Sequence, residues 1–242
     1  MQDREIRNII LHLQKKPTFL LKALPILYRK IFKKVCIKFV VFRRTCPYYL
    51  KKEGLTKRPK VMSYVKPLTG DFDKVKAVKL NTIELAGIKY SFNGTIQWKN
   101  GFKDSEELES LHRWNWLLLK LTDDENPSML ADWGAYYVCN WIEKHIEHKN
   151  DSQIWSTYTT GERICNLLIF LEKTGIECNS YFKQALNIMA SHVLSNLEYY
   201  GEKDTFNHII NNARALYFAG QHLGIESYSN AARKILQNEI HV

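Results

Sequence analysis

Asparagine is a poor residue inside a helix, because its amide competes with the backbone for hydrogen bonds. Yet the helical pattern from Asp204 to Gly220 carries three, Asn207, Asn211 and Asn212. Read with a 3.6-residue period, Phe206, Ile209, Ile210, Ala213 and Leu216 or Tyr217 form an apolar stripe, and Asn207, Asn211, Arg214 and Phe218 fall on a neighbouring polar and planar face. Either Asn207 caps the helix, or the set binds something. A second chemical candidate is Ile154 to Arg163, a polar Ser/Thr loop bearing Trp155 and Tyr158 and leading into a helix with an arginine in its first turn. Aromatic faces stack on sugar rings, and an arginine fork grips a carboxylate at two points. Packing offers the other account of Arg163, which could pair with Glu162 or a neighbouring helix.

These residues must be held by helices. From Ser105 onward the periodicity predicts six: a stripe through Leu108, Leu111, Trp114 or Asn115, Leu118 and Leu121; a second through Trp133, Tyr136 or Tyr137, Asn140 and Trp141; then Arg163 to Lys173, Tyr181 to Tyr199, Asn207 to Leu223 and Ser227 to Ile240. Short connections favour antiparallel neighbours packed as successive hairpins. Gly175 reads as a helix C-cap, and Gly220 followed by Gly224 plays a similar part. Ahead of the helices, Thr82 to Leu85 and Ile88 to Phe92 around Ala86-Gly87 read as a small hairpin, followed by a short strand ending in Trp98. Residues 1–45 read as helical, with Pro17 and Pro25 at breaks or first turns, and residues 46–80 as an irregular connector.

Charge divides the chain of 242 residues. Residues 1–60 hold 17 Lys and Arg against 3 Asp and Glu, which leaves 18 against 22 for the rest, so the overall +10 belongs to an N-terminal arm. Residues 19–44 alternate Leu, Ile, Phe and Val with Lys and Arg, which suits either a basic amphipathic helix on an anionic membrane surface or a peripheral helix packed on the protein. The apolar run Val35 to Phe42 is too short to span a bilayer, and no secretory signal is visible, which points to the cytoplasm or the inner membrane face. Nucleic acid is not expected as a partner, since no stacking platform or binding module is present. The five cysteines form no CxxC pair and read as free thiols, with packing as the role of Cys139, Cys165 and Cys178. His145 and His148 are three apart among charged neighbours and read as a solvated helix face; neither a metal nor another cofactor is called for.

Four blocks, in order, resemble the N-terminal toroid domain of the heparinase II/III-like polysaccharide lyases. They are Phe92-Asn93 through Ile96-Gln97-Trp98; Leu111-His112-Arg113-Trp114-Asn115-Trp116; Trp155 through Asn166; and Asn207-His208 with Asn211 to Leu216 and Phe218-Ala219-Gly220. Together they span roughly residues 90–242. Members of that family cleave acidic polysaccharides by β-elimination at a uronic acid. The C5 proton is weakly acidic while the adjoining carboxylate is charged, so a site must hydrogen-bond or neutralise that carboxylate before a base can act. The resemblance implies that Asn207 is the carboxylate-binding amide, that His208 contacts or orients substrate, and that Arg163, Trp155 and Tyr158 line the sugar cleft. Asn211 and Trp114 count with them as candidate substrate-binding residues. Phe206 stands where the family usually has a small residue.

The expectation is therefore a mainly α chain: a basic arm over 1–60, a connector with short strands over 61–100, and an incomplete α/α toroid of antiparallel helical hairpins over 101–242, binding an anionic polysaccharide. Family enzymes continue into helices supplying a catalytic tyrosine and a β-sandwich supplying a histidine; no tyrosine follows Tyr228 here, so the expected base and acid are not visible. An open toroid edge implies self-association or a complementing half. The alternative is a non-catalytic helical scaffold or membrane-surface protein associated with polysaccharide synthesis.

Overall fold

A computed structural model describes residues 46–48, 82–99, 101–123, 127–147, 151–199 and 207–240. The basic arm before Cys46, the connector, His148 and Phe206 lie outside the described residues. The chain divides into two compact units, 1–49 and 50–242. All elements below belong to the second.

The hairpin forms as its sequence predicts. Strands β1 (Thr82–Leu85) and β2 (Ile88–Ser91) pair antiparallel, Leu85 opposite Ile88. Ala86 and Gly87 both take positive φ, 51° and 79°, the mirror-image turn whose twist suits two-residue hairpins. Ile83 and Leu85 point into the core, and the Ala86 N–H donates to Ser110 Oγ at 3.2 Å, tying the turn to the first helix. The short strand expected before Trp98 does not form. Among the described residues no strand pairs with 92–98, and side chains hold this segment, Trp98 Nε1 donating to Asn140 Oδ1 at 2.9 Å.

Seven helices follow among the described residues: α1 (Ser105–Arg113), α2 (Asn115–Asp123), α3 (Pro127–His145), α4 (Thr157–Thr174), α5 (Ser180–Ser195), α6 (His208–Leu223) and α7 (Glu226–Glu239). Where one helix was expected from Leu108 to Leu121 there are two, because Trp114 takes a left-handed conformation (φ 66°). Three of the carbonyls this break releases are captured by side chains: Leu111 by Trp116 Nε1 at 2.9 Å, His112 by Arg163 Nε at 2.6 Å, Arg113 by Asn166 Nδ2 at 2.8 Å. Helix α4 also begins six residues earlier than the apolar stripe suggests. Ser156 caps it, its hydroxyl accepting the Thr159 N–H at 3.2 Å, so Thr157, Thr159 and Thr160 are buried helical residues rather than loop.

Helices α4 to α7 run alternately up and down. Thr157 Oγ1 at the start of α4 donates to the Asn196 carbonyl beyond the end of α5, and Glu198 meets the first turn of α6. Tyr158 and Glu162 of α4 meet Asn211 and Arg214 of α6, so these two lie side by side and parallel, with their N-termini at the same end. Gly175 and Gly224 close α4 and α6 in left-handed C-caps. Gly220 has a different role from the cap expected of it. It lies within α6, and a Cβ there would come within 2.4 Å of Ser229 Oγ and 2.8 Å of the Ser229 backbone nitrogen. Alanine normally stabilises a helix interior relative to glycine by about 0.5–1 kcal/mol. Gly220→Ala is expected to do the reverse, costing about 1–3 kcal/mol through overpacking against α7, readable as a lower urea midpoint; a stabilised variant would refute the close approach.

Candidate functional site

Two clusters collect the residues singled out by the sequence, one buried and one exposed. The buried one centres on Arg163, which has no solvent exposure. Its Nε donates to the His112 carbonyl and its Nη2 to the Ile154 carbonyl, at 2.6 and 2.5 Å. Its guanidinium carbon lies 4.0 Å from the centroid of Trp141, 5.6 Å from Trp155 and 5.7 Å from Trp114. Burial pushes the guanidinium well below its ordinary pKa. Two carbonyl dipoles and three indole faces offset that cost without a carboxylate. Arg163 therefore does not line a cleft, and neither do Trp114 and Trp155, both buried; the fork that could grip a substrate carboxylate grips the backbone instead.

His112 and His145 complete this core. Trp141 Nε1 can only donate, and it meets His112 Nδ1 at 2.7 Å, so His112 is the Nε2–H tautomer and donates to the Trp98 carbonyl at 2.9 Å. Burial, and then the Arg163 charge, hold its pKa down at about 2. His145 is packed between Trp98, Trp141 and His112 rather than on a solvated face, because α3 turns that side inward. Burial, and then the charge of Lys99, lower its pKa to about 4. Among the described residues no three His, Cys, Asp or Glu come together as a metal ion would require. Cys139 and Cys165 are buried and Cys178 is half-buried.

The exposed cluster lies where the starts of α4 and α6 meet the end of α5. The Tyr158 and His208 rings face each other with centroids 4.6 Å apart. Behind Tyr158 is Arg113, its guanidinium carbon 5.1 Å from the ring centroid, paired to Glu106 at 2.6 Å and Glu109 at 2.9 Å. Burial raises the Glu109 carboxyl above its ordinary range despite that partner. On the other side His208 Nδ1 meets Glu198 Oε1 at 3.2 Å.

The three asparagines have separate roles. Asn212, fully buried, accepts the Glu198 N–H through Oδ1 at 2.9 Å and donates through Nδ2 to Glu198 Oε2 at 3.2 Å. Asn211, also buried, donates to the Tyr158 carbonyl at 3.1 Å and accepts from Arg214 at 2.8 Å; it holds α4 to α6 and is not presented to solvent. Asn207 is exposed, has helical backbone angles, and makes no side-chain capping bond to α6. Asn207, His208 and Tyr158 are thus brought to one surface, while Arg163, Trp155, Trp114 and Asn211 are placed in its support. Arg113 and Glu198 were missed by sequence reasoning. Glu198 meets His208 ten residues further on, outside any helical spacing, whereas Glu106 and Glu109, seven and four residues before Arg113, were a helical charge signal.

Comparison of the chain with protein-family models, with curated proteins and with solved structures gave no match.

Two outcomes follow from the buried cluster. Arg163→Lys keeps the charge but not the fork, and is expected to cost at least about 3 kcal/mol of unfolding free energy, as one buried carbonyl loses its donor and a charge its compensation; a loss below about 1 kcal/mol would refute the clamp. The histidines set an acid limit. Their native pKa values lie below the ordinary 6.5, so as pH falls below 6.5 the unfolded chain binds protons that the native chain refuses. Each then removes roughly 1.4 kcal/mol per pH unit, His145 until about pH 4 and His112 until about pH 2. His145→Phe is expected to remove its share of this slope in urea unfolding between pH 6.5 and 5; an unchanged slope would contradict the assignment.

Proposed function

We propose that the chain binds a uronate-containing anionic polysaccharide for β-elimination, as a partial α/α toroid of the heparinase II/III-like lyase kind, with Asn207, His208 and Tyr158 facing the sugar. The observation that carries this is Asn207. An exposed amide that neither caps its helix nor bonds within the described residues stands at the N-terminus of α6, next to a histidine whose ring is packed at a tilt against that of a tyrosine. Its Nδ2 donates to a uronate carboxylate, drawing off the charge that otherwise holds the C5 proton in place, and the first turn of α6 adds the positive end of the helix dipole. Tyr158 offers a half-buried ring as an apolar floor for a sugar face.

With Arg163 in the core, the guanidinium beside Tyr158 is that of Arg113, whose single charge is outnumbered by Glu106 and Glu109. Recognition then rests on directed hydrogen bonds more than on net positive potential, and binding depends only weakly on salt. The alternating helices and the parallel α4 and α6 support the toroid reading, in which successive hairpins present alternate helix starts at one end.

A second reading, a non-catalytic helical scaffold associated with polysaccharide synthesis, draws support from another observation. Tyr217 and Phe218 are 37% and 45% exposed on α6, side by side with ring centroids 6.2 Å apart, as a surface used in self-association would be. Binding of the basic arm to an anionic membrane surface belongs to this reading, and the arm lies outside the described residues. The two part on one substitution. Against a panel of heparan, alginate, hyaluronan and pectin-like polymers, the chain is expected to bind at least one, with unsaturated-uronate absorbance where turnover occurs. Asn207→Ala is expected to abolish that binding while unfolding free energy stays within about 0.5 kcal/mol of the parent, since no capping bond is lost. Retained binding with lowered stability would favour the scaffold.

A further inference from the structure

Glu198 is fixed before it meets His208. Its backbone N–H can only donate, so Asn212 must present Oδ1 to it at 2.9 Å, which leaves Asn212 Nδ2 as the donor aimed at Glu198 Oε2 at 3.2 Å. Asn212 is fully buried, so this two-point hold is part of the core. The second carboxylate oxygen, Oε1, meets His208 Nδ1 at 3.2 Å. An ionised carboxylate only accepts, so Nδ1 carries the hydrogen in neutral His208. The Tyr158 ring, 4.6 Å away, limits rotation of the imidazole on its other side. The His208 side chain is 48% exposed, and its Nε2 has no hydrogen-bond partner among the described residues.

We infer that Glu198, oriented by Asn212, is a positioning residue that holds His208 as the Nδ1–H tautomer with the Nε2 lone pair turned to the surface as a proton acceptor. The inference rests on the uronate-binding reading and supplies a base from within this chain. At a bound uronate Nε2 takes the C5 proton and the C5–H electron pair becomes the C4–C5 double bond. The C4–O bond breaks with its pair on the departing oxygen, which takes a proton from water, and the imidazolium returns its proton to solvent. Free imidazole prefers the opposite tautomer, so the arrangement leaves a mark whether or not a glycan is present.

The test is long-range ¹H–¹⁵N NMR of the histidines in the full chain, parent against Glu198→Gln and Glu198→Ala, at alkaline pH where imidazole is neutral. Asn212 Nδ2 still demands an oxygen, so in Glu198→Gln the amide oxygen stays on Asn212 and the NH₂ turns to His208. The expected result is Nδ1–H as the major form in the parent, reversal to Nε2–H in Glu198→Gln, and the mixture of free imidazole in Glu198→Ala. A parent that already shows the free-imidazole mixture, or a Glu198→Gln that leaves the tautomer unmoved, overturns the inference. On a polymer that is turned over, Glu198→Gln is expected to lower kcat on the order of 10²-fold with little change in KM; an unchanged kcat overturns it too. Tautomer reversal without binding of any polymer would uphold the positioning and sink the uronate reading.

Discussion

A buried guanidinium without a carboxylate is the constraint on which the rest of this structure depends. Arg163 is fully enclosed, and its charge is met by the carbonyls of His112 and Ile154 and by the faces of Trp141, Trp114 and Trp155. Removing one partner of a buried charge typically costs about 3–5 kcal/mol, so the groups around it are not interchangeable. The His112 carbonyl is free to accept only because α1 ends there, and α1 ends there because Trp114 turns left-handed. The Ile154 carbonyl fixes the approach to α4, and α4 carries Tyr158 to the surface. A residue with the outward chemistry of a carboxylate clamp instead sets where two helices stop and start.

The exposed strip inherits its order from this frame and from two buried amides. Asn211 fastens the start of α4 to α6 through the Tyr158 carbonyl, and Asn212 fastens Glu198 through both its backbone and its side chain. Polar residues inside a helix interface are tolerated when every donor and acceptor finds a partner, and here each partner specifies the orientation of the amide. What reaches the surface is small: Asn207, the His208 edge and the Tyr158 ring, between Glu198 on one side and Arg113 with its two glutamates on the other. One arginine stands there against three glutamates.

The helical pattern was legible because it depends on local periodicity. The positions of α3, α5, α6 and α7 follow from apolar spacing, and the hairpin turn from Ala86-Gly87. The break at Trp114 was not, since it is stabilised by Arg163 and Asn166, some fifty residues away. The start of α4 was obscured for a related reason: Thr157, Thr159 and Thr160 look like loop by composition, yet burial makes them helix once Ser156 caps it. Residue type misled most where one side chain suits two tasks. Arginine and tryptophan can hold a sugar acid or a carbonyl, and asparagine can hold a ligand or a loop. Only the tertiary partners decide between them, and they separated Asn207 from Asn211 and Asn212, and Tyr158 from Trp155.

The central claim is that the surface formed by Tyr158, Asn207 and His208 is the site, and that the Arg163 cluster is its frame. Titrating a uniformly ¹⁵N-labelled chain with a short uronate oligosaccharide while following backbone amides and indole N–H signals by NMR tests both halves at once. The account expects graded shifts at Tyr158, Asn207 and His208, with the indole signals of Trp114 and Trp141 in place. Shifts confined to the indoles, or a response centred on Tyr217 and Phe218 with none at Asn207, would contradict it.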